Sequence, residues 1–152
     1  MMIDLQEKPV LVVGGGHIAA RRADTLLRCG AEVVAVSPGF CPEFPHSDHV
    51  RRITRPFRPE DLTPDFVLVI SATDSRSVNS LVSSLAKALH IPVNICDSQE
   101  ECDFFFPSLI NHENVAVSVC SAGISAGLTK RLSDKLRRLW PSWVNEENST
   151  VL

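Results

Sequence analysis

Gly14, Gly15 and Gly16 close a run of β-formers (Val10, Leu11, Val12, Val13), and Ala19 follows in the spacing Gly14-x-Gly16-x-x-Ala19. That spacing is a dinucleotide fingerprint. Gly14 permits the tight turn out of a strand. Gly16 has no Cβ to keep a pyrophosphate off the backbone, and Ala19 lets the next helix pack closely on the strand. A helix that starts there offers unpaired N–H groups and a positive dipole end to phosphates. The dipole contributes only roughly 0.3–1 kcal/mol per nearby charge. Hydrogen bonds and burial of the ligand's rings must supply the rest.

Two further places bear on that chemistry. A site for NAD commonly carries an acid about 20 residues past the glycines, at the end of the second strand. Here the place reads Val36-Ser37-Pro38-Gly39. Ser37 could bond a ribose hydroxyl but cannot repel a 2′-phosphate, so NAD and NADP both remain open. Asp97 ends a later strand. An ordinary Asp titrates near pH 4 and is an ionised proton acceptor at neutral pH. Asp97-Ser-Gln-Glu100 is also a capping box, Asp at N-cap and Glu at N3. Spacing alone leaves both readings standing.

The elements that must hold these residues follow from periodicity. A strand is expected over 9–13, a helix over 17–28 and a second strand over 32–36. Gly30 suits the position just past the helix, where left-handed backbone costs glycine nothing. Residues 37–49 hold three prolines and Gly39 and read as a loop at the cofactor edge. A short strand over 50–54 and one helical turn over 59–62 come next. The continuous run FVLVIS (66–71) suits a parallel strand buried on both faces. Ala72-Thr73-Asp74 follows it. A helix over 75–90 carries Val78, Leu81, Val82, Leu85, Ala86 and Leu89 on one stripe. A fifth strand over 92–96 leads to Asp97. This is a Rossmann-like, doubly wound parallel sheet of the α/β class. Ligands of such sheets sit beyond the carboxyl ends of the strands, where residues 14–16, 37–39, 72–74 and 97 all fall.

Past residue 103 the pattern changes. Two strand candidates, 104–111 and 115–120, flank a short turn and form a hairpin. Ser121 to Ser125 then lead into a helix ending at Trp140, with Leu128, Leu132, Leu136 and Leu139 on its apolar face. A hairpin and one helix cannot cover both of their own faces. The expected organisation is a dinucleotide-binding domain over 1–103, a dimerisation region over 104–141 that packs on a second copy, and a polar, frayed tail over 142–152.

Composition narrows the class. A length of 152 residues, 44% hydrophobic and 22% charged, is ordinary for a globular protein. A net charge of −3 argues against a nucleic-acid binder. No apolar run reaches the roughly 20 residues of a membrane span, and no secretion signal is visible. The five cysteines include no Cys-x-x-Cys, and Cys and His show no metal-ligand cluster. Free thiols in a reducing cytoplasm are expected. The absence of tyrosine excludes dehydrogenases that use a Tyr–Lys pair.

The segments Asp4-Leu5, Val10–Gly16, Ala72-Thr73-Asp74, Asn94-Ile-Cys-Asp97, Cys102-Asp103-Phe104, Phe106-Pro107, Ser121-x-Gly123-x-Ser125, Leu128, Arg131-Leu132 and Lys135-Leu136 occur in that order. Together they resemble precorrin-2 dehydrogenase, the N-terminal module of siroheme synthase, over nearly the whole chain. The resemblance implies a homodimer that uses NAD⁺ to oxidise the tetrapyrrole precorrin-2 to sirohydrochlorin; some members also insert ferrous iron. It implies that Gly14, Gly15, Gly16, His17 and Ile18 form the phosphate-binding turn. Ser37, Pro38 and Gly39 would then meet the adenosine ribose, and Thr73 and Asp74 the nicotinamide half. His17 either touches the pyrophosphate or is solvated at the helix start. Asp97 matches the family's strand-end acid and would be the general base.

The substrate class carries eight carboxylates, for which Arg131 and Lys135 on the basic last helix, with Asn94, Ser121, Gly123 and Ser125, are candidate contacts. A solvated helix face and a plain Ser125 cap are the competing readings. The family usually has Pro after the second Ser, where Ala126 stands here. A different class also fits: a non-catalytic NAD-binding module that senses redox state beside a tetrapyrrole enzyme.

Overall fold

The computed structural model describes residues 3–112, 115–121 and 124–150. The chain divides into two compact units, Met1–Phe104 and Phe105–Leu152.

The first unit holds five parallel strands in the order β3-β2-β1-β4-β5: β1 (Pro9–Val13), β2 (Glu32–Ser37), β3 (Val50–Thr54), β4 (Leu68–Ser71) and β5 (Val93–Ile95). β1 is apolar along its length because both its faces are covered; Val10, Leu11, Val12 and Val13 are at most 1% exposed. Leu11 and Val13 share one core cluster with Val36, Val69, Val82, Ala86, Val93 and Ile95. Alternate residues of a strand point to opposite faces, so Val10 and Val12 lie on the other side. Helix α1 (His17–Arg28) buries Ala19, Ala20, Ala23 and Leu26. Gly30, at φ +79°, turns the chain toward β2 in the left-handed geometry expected of it.

Helix α2 (Arg76–Ala88) differs from its sequence pattern. Its buried face is Asn79, Val82, Ser83 and Ala86. Leu81 and Leu89 of the expected stripe are 41% and 38% exposed. Small and polar residues line the inner face because Asn79 has a structural task there, described below. Apolar periodicity therefore points slightly to one side of the true contact face. The turn expected near residue 60 is a 3₁₀ turn, Pro59–Asp61.

The second unit contains the antiparallel hairpin β6 (Ser108–His112) and β7 (Val115–Val119), and helix α3 (Ala126–Thr150). α3 does not stop at Trp140: it runs through Pro141 and includes most of the expected tail. A proline inside a helix removes one hydrogen bond. Here the turns on both sides persist, with Trp140 and Trp143 edge to face at 6.3 Å. α3 packs on the hairpin, where Arg137 donates to Ser108 Oγ at 3.0 Å and Ser133 is fully buried. Leu128, Leu132 and Leu139 are 43%, 45% and 38% exposed. No described helix is long and apolar enough to cross a membrane.

Candidate functional site

The strand order reverses between β1 and β4, since β1 to β3 proceed one way and β4 to β5 the other. An open parallel sheet has its crevice at that point, beyond the carboxyl ends. The glycine turn leaves β1 there. Gly14 has φ +122°, and a Cβ on it would stand 2.3 Å from the Ala72 carbonyl oxygen. Ala72 N–H in turn donates to the Val13 carbonyl at 2.8 Å. Glycine at 14 thus lets the turns after β1 and β4 touch. Gly15 has a different constraint, which spacing did not reveal. Its Cβ would fall 2.0 Å from the Gly39 carbonyl oxygen and 2.8 Å from Ser37 Oγ. The loop after β2 rests on this glycine, and Cys41 N–H fixes it by donating to the Gly15 carbonyl at 2.8 Å.

At Gly16 an added Cβ would meet no atom within 4 Å, and the same holds at Gly39. The chain itself leaves space above both. Gly16 is also the N-cap of α1 and no side chain caps that helix, so its leading N–H groups keep donor capacity. Open backbone beside uncapped N–H groups is what a pyrophosphate requires. The rim therefore fits a dinucleotide. His17 is exposed, with Nδ1 3.4 Å from a Glu43 carboxylate oxygen. Ile18 is 53% exposed.

Ser37 is buried, and its hydroxyl donates to the Gly39 carbonyl at 2.7 Å. That proton shapes the loop and is not held out for a ribose. The loop continues through Phe44, which is 1% exposed. Arg52 donates to the Phe44 and Pro45 carbonyls and lies over the Phe40 and Phe44 rings at 5.4 and 5.2 Å. Thr54 pairs with Ser37 across β2 and β3. Arg55, just beyond, is held in a two-pronged ion pair by Asp61 at 2.7 and 2.5 Å. That guanidinium holds the Asp61 carboxyl below its usual range.

Asn79, which sequence reasoning missed, organises the turn after β4. It is fully buried. Its Oδ1 accepts from Ser71 Oγ at 2.8 Å, Thr73 Oγ1 at 2.7 Å and Thr73 N–H at 3.3 Å. Its Nδ2 donates to the Thr73 carbonyl at 3.0 Å. Thr73 is thus fixed by the α2 face, and Asp74 beside it is exposed. The signal was an amide among the inward positions Val82 and Ala86 of a helix.

Asp97 does not cap a helix. The turn after β5 is Gln99–Glu101, and its N-cap is Ser98. The capping box expected at Asp97 is therefore not formed. Its carboxylate instead meets Arg76 at 2.8 Å, and Arg76 also binds Glu101. Arg76 is the first residue of α2, where a cation opposes the helix dipole. That misplacement was legible as a sign of a second task. Asn94 faces inward: it is 5% exposed and donates to the Phe104 carbonyl at 2.8 Å. Burial pushes the thiols of Cys96 and Cys102 up from their ordinary range.

In the second unit Ser125 caps α3, accepting from Leu128 N–H at 3.2 Å. Ser121 Oγ receives Ser125 N–H at 3.0 Å and Thr129 Oγ1 at 3.0 Å. Gly123 lies outside the described residues. Lys130 and Arg137 both pair with Asp134, at 2.9 and 3.1 Å. Arg131 and Lys135 are exposed.

Fold and rim define a dinucleotide-binding α/β protein of the Rossmann type. Residues 1–108 match the family model described as "Putative NAD(P)-binding", and the chain belongs to that family. The expected cofactor class, a nicotinamide dinucleotide, follows. Siroheme synthase of Pseudoalteromonas translucida is 38% identical over 142 residues, covering 92% of this chain and 30% of the relative. Siroheme synthase 1 of Serratia proteamaculans is 39% identical over 142 residues, covering 91% and 30%. The chain thus spans about 30% of the length of these relatives. A solved structure, "SirC, precorrin-2 dehydrogenase", superposes with TM-score 0.73 at 27% identity, covering 90% of this chain and 68% of that one.

Proposed function

We propose that this chain oxidises precorrin-2 to sirohydrochlorin with NAD⁺, as a dehydrogenase of siroheme synthesis, and that it works as a homodimer in the cytoplasm. The fold and glycine turn shared with that family support the reading. The observation that carries it is Asp97, a carboxylate after β5 that caps nothing and is gripped by Arg76.

The oxidation removes a hydride and a proton from the substrate. NAD⁺, when bound, supplies the hydride acceptor. Gly14, Gly15 and Gly16 with the leading N–H groups of α1 would hold its phosphates; His17 and Ile18 would flank them. Ser37, Pro38 and Gly39 would line the ribose end, and Thr73 and Asp74 the nicotinamide end. NAD is favoured over NADP because Arg52 of β3 and Arg55 just past it are already committed to carbonyls and to Asp61. Asp97 would take the proton and pass it to water after the product leaves. Arg76 would hold the carboxylate in place and, once it is protonated, stay paired to Glu101. Arg131 and Lys135 would meet substrate carboxylates.

The Arg76–Asp97 pair also favours a second reading, since a carboxylate held by a guanidinium has one of its oxygens occupied. On that reading the chain binds NAD without turning anything over. One experiment separates the two. Purified protein, precorrin-2 and NAD⁺ are mixed, and NADH and sirohydrochlorin absorbance are followed. Turnover by the wild type, lost by at least 100-fold in Asp97→Asn with NAD⁺ binding retained, is expected. In the same assay Arg131→Gln and Lys135→Gln should raise KM for precorrin-2 and leave NAD⁺ affinity alone. Bound NAD⁺ with no turnover in the wild type selects the second reading, and full turnover by Asp97→Asn removes that side chain from the chemistry.

A further inference from the structure

Beside the glycine turn lies a cluster that sequence spacing did not announce. The donor atoms of His17, Cys41 and Glu43 all lie within 4.8 Å of one another. His17 and Glu43 are exposed and Cys41 half-buried. We propose that these three side chains form a site for a divalent first-row transition ion such as Zn²⁺ or Co²⁺, and that filling it strengthens dinucleotide binding.

The donor set selects the class of ion. One imidazole nitrogen, one thiolate and one carboxylate suit a borderline-soft metal and are a poor match for Mg²⁺ or Ca²⁺. Bonds of about 2.0–2.3 Å put tetrahedral donors roughly 3.3–3.7 Å apart. His17 Nδ1 and the Glu43 carboxylate are already at 3.4 Å. Closing the remaining distance takes a shift of about 1 Å, which the exposed imidazole and carboxylate can make by rotating. The thiol proton leaves to solvent when the metal–sulfur bond forms. Three protein donors leave a fourth position for water or an anion.

Its place ties the ion to the phosphate turn. His17 is the first residue of α1, and Cys41 N–H is bonded to the Gly15 carbonyl at 2.8 Å. A thiol, a neutral imidazole and a carboxylate carry −1 together. The same groups with the ion and a thiolate carry no net charge. Occupancy therefore removes one negative charge next to the position of the pyrophosphate. This second half rests on the reading that the turn holds a dinucleotide; the site itself does not.

The test begins without nucleotide. Co²⁺ is titrated into metal-free protein and the thiolate-to-cobalt charge-transfer band is followed. A one-to-one endpoint is expected. The band should vanish in Cys41→Ser and persist in Cys29→Ser and Cys120→Ser, whose thiols are exposed elsewhere. His17→Ala and Glu43→Gln should weaken binding at least tenfold, with thermal melts confirming that each variant folds. No band, or a band that survives Cys41→Ser, overturns the site. NAD⁺ is then titrated with and without Zn²⁺; the ion should tighten it by about two- to fivefold, as linkage of a single screened charge allows. Weaker NAD⁺ binding with the cobalt band intact would put the ion in the phosphates' path and overturn the coupling. Failure of NAD⁺ to bind in either condition would count against the cofactor reading and leave the cobalt result standing.

Discussion

A methyl group added to Gly14, Gly15 or Gly16 would meet three different surroundings, and substitution should separate them. At Gly14 it strikes the Ala72 carbonyl at 2.3 Å on a backbone with φ +122°. Gly14→Ala should lower stability by about 2–4 kcal/mol, since both strain and overlap act. At Gly16 it meets nothing within 4 Å. Gly16→Ala should melt with the wild type yet bind NAD⁺ at least tenfold more weakly, because only the ligand would collide with it. Paired thermal melts and NAD⁺ titrations check both. Equal NAD⁺ affinity for Gly16→Ala would mean that the ligand does not cross this turn.

At the scale of elements, the turns that carry the rim are fixed by polar side chains behind it. Asn79 satisfies Ser71 and Thr73 from a fully buried position. Asn79→Ala would take the acceptor from the Ser71 hydroxyl and the side-chain donor from the Thr73 carbonyl, at about 1–3 kcal/mol for each buried group left unpaired. It should also weaken NAD⁺, because the Thr73 turn loses its support; unchanged affinity in a stably folded variant would show that the turn is held by β4 alone. Asp61 does the same for the loop after β3. Its folded carboxyl titrates below its ordinary value because Arg55 is bonded to it. Its contribution is therefore present above the unfolded value near pH 4 and lost as pH falls through the lowered folded value. The stability gap between wild type and Asp61→Asn should be about 1–3 kcal/mol at pH 7 and close below pH 4 in denaturant melts. Strands β1 and β3 and helix α1 were legible to the residue because their apolar patterns are local. Asn79 and Arg76 were legible only as residues out of place, and their partners were not, since these lie 6 to 25 residues away in the chain. The Asp97 capping box was a local pattern that the structure does not use: Ser98 is the N-cap there, and Asp97 meets Arg76, 21 residues away. Pro141 misled in the opposite sense: a breaker by propensity, it sits inside α3, between Trp140 and Trp143.

For the molecule as a whole, the two units bury their residues unequally. The sheet unit has a closed core, with its β1 and β4 valines and isoleucine almost wholly buried. In the hairpin unit, Leu128, Leu132, Leu139 and Trp143 fall on one stripe of α3 and are each at least 38% exposed. An apolar face of that extent on a stable protein calls for an occupant. A second copy is the economical one, since a two-fold axis covers the same face on both protomers at once. Leu132→Asp places a charge in the middle of that face and removes nothing from the sheet unit. Sedimentation should then show a dimer for the wild type and a monomer for the variant. The variant should keep its NAD⁺ affinity, because the glycine turn lies in a unit with its own core. A wild type that stays monomeric at high concentration would overturn the assignment of this face to a second copy.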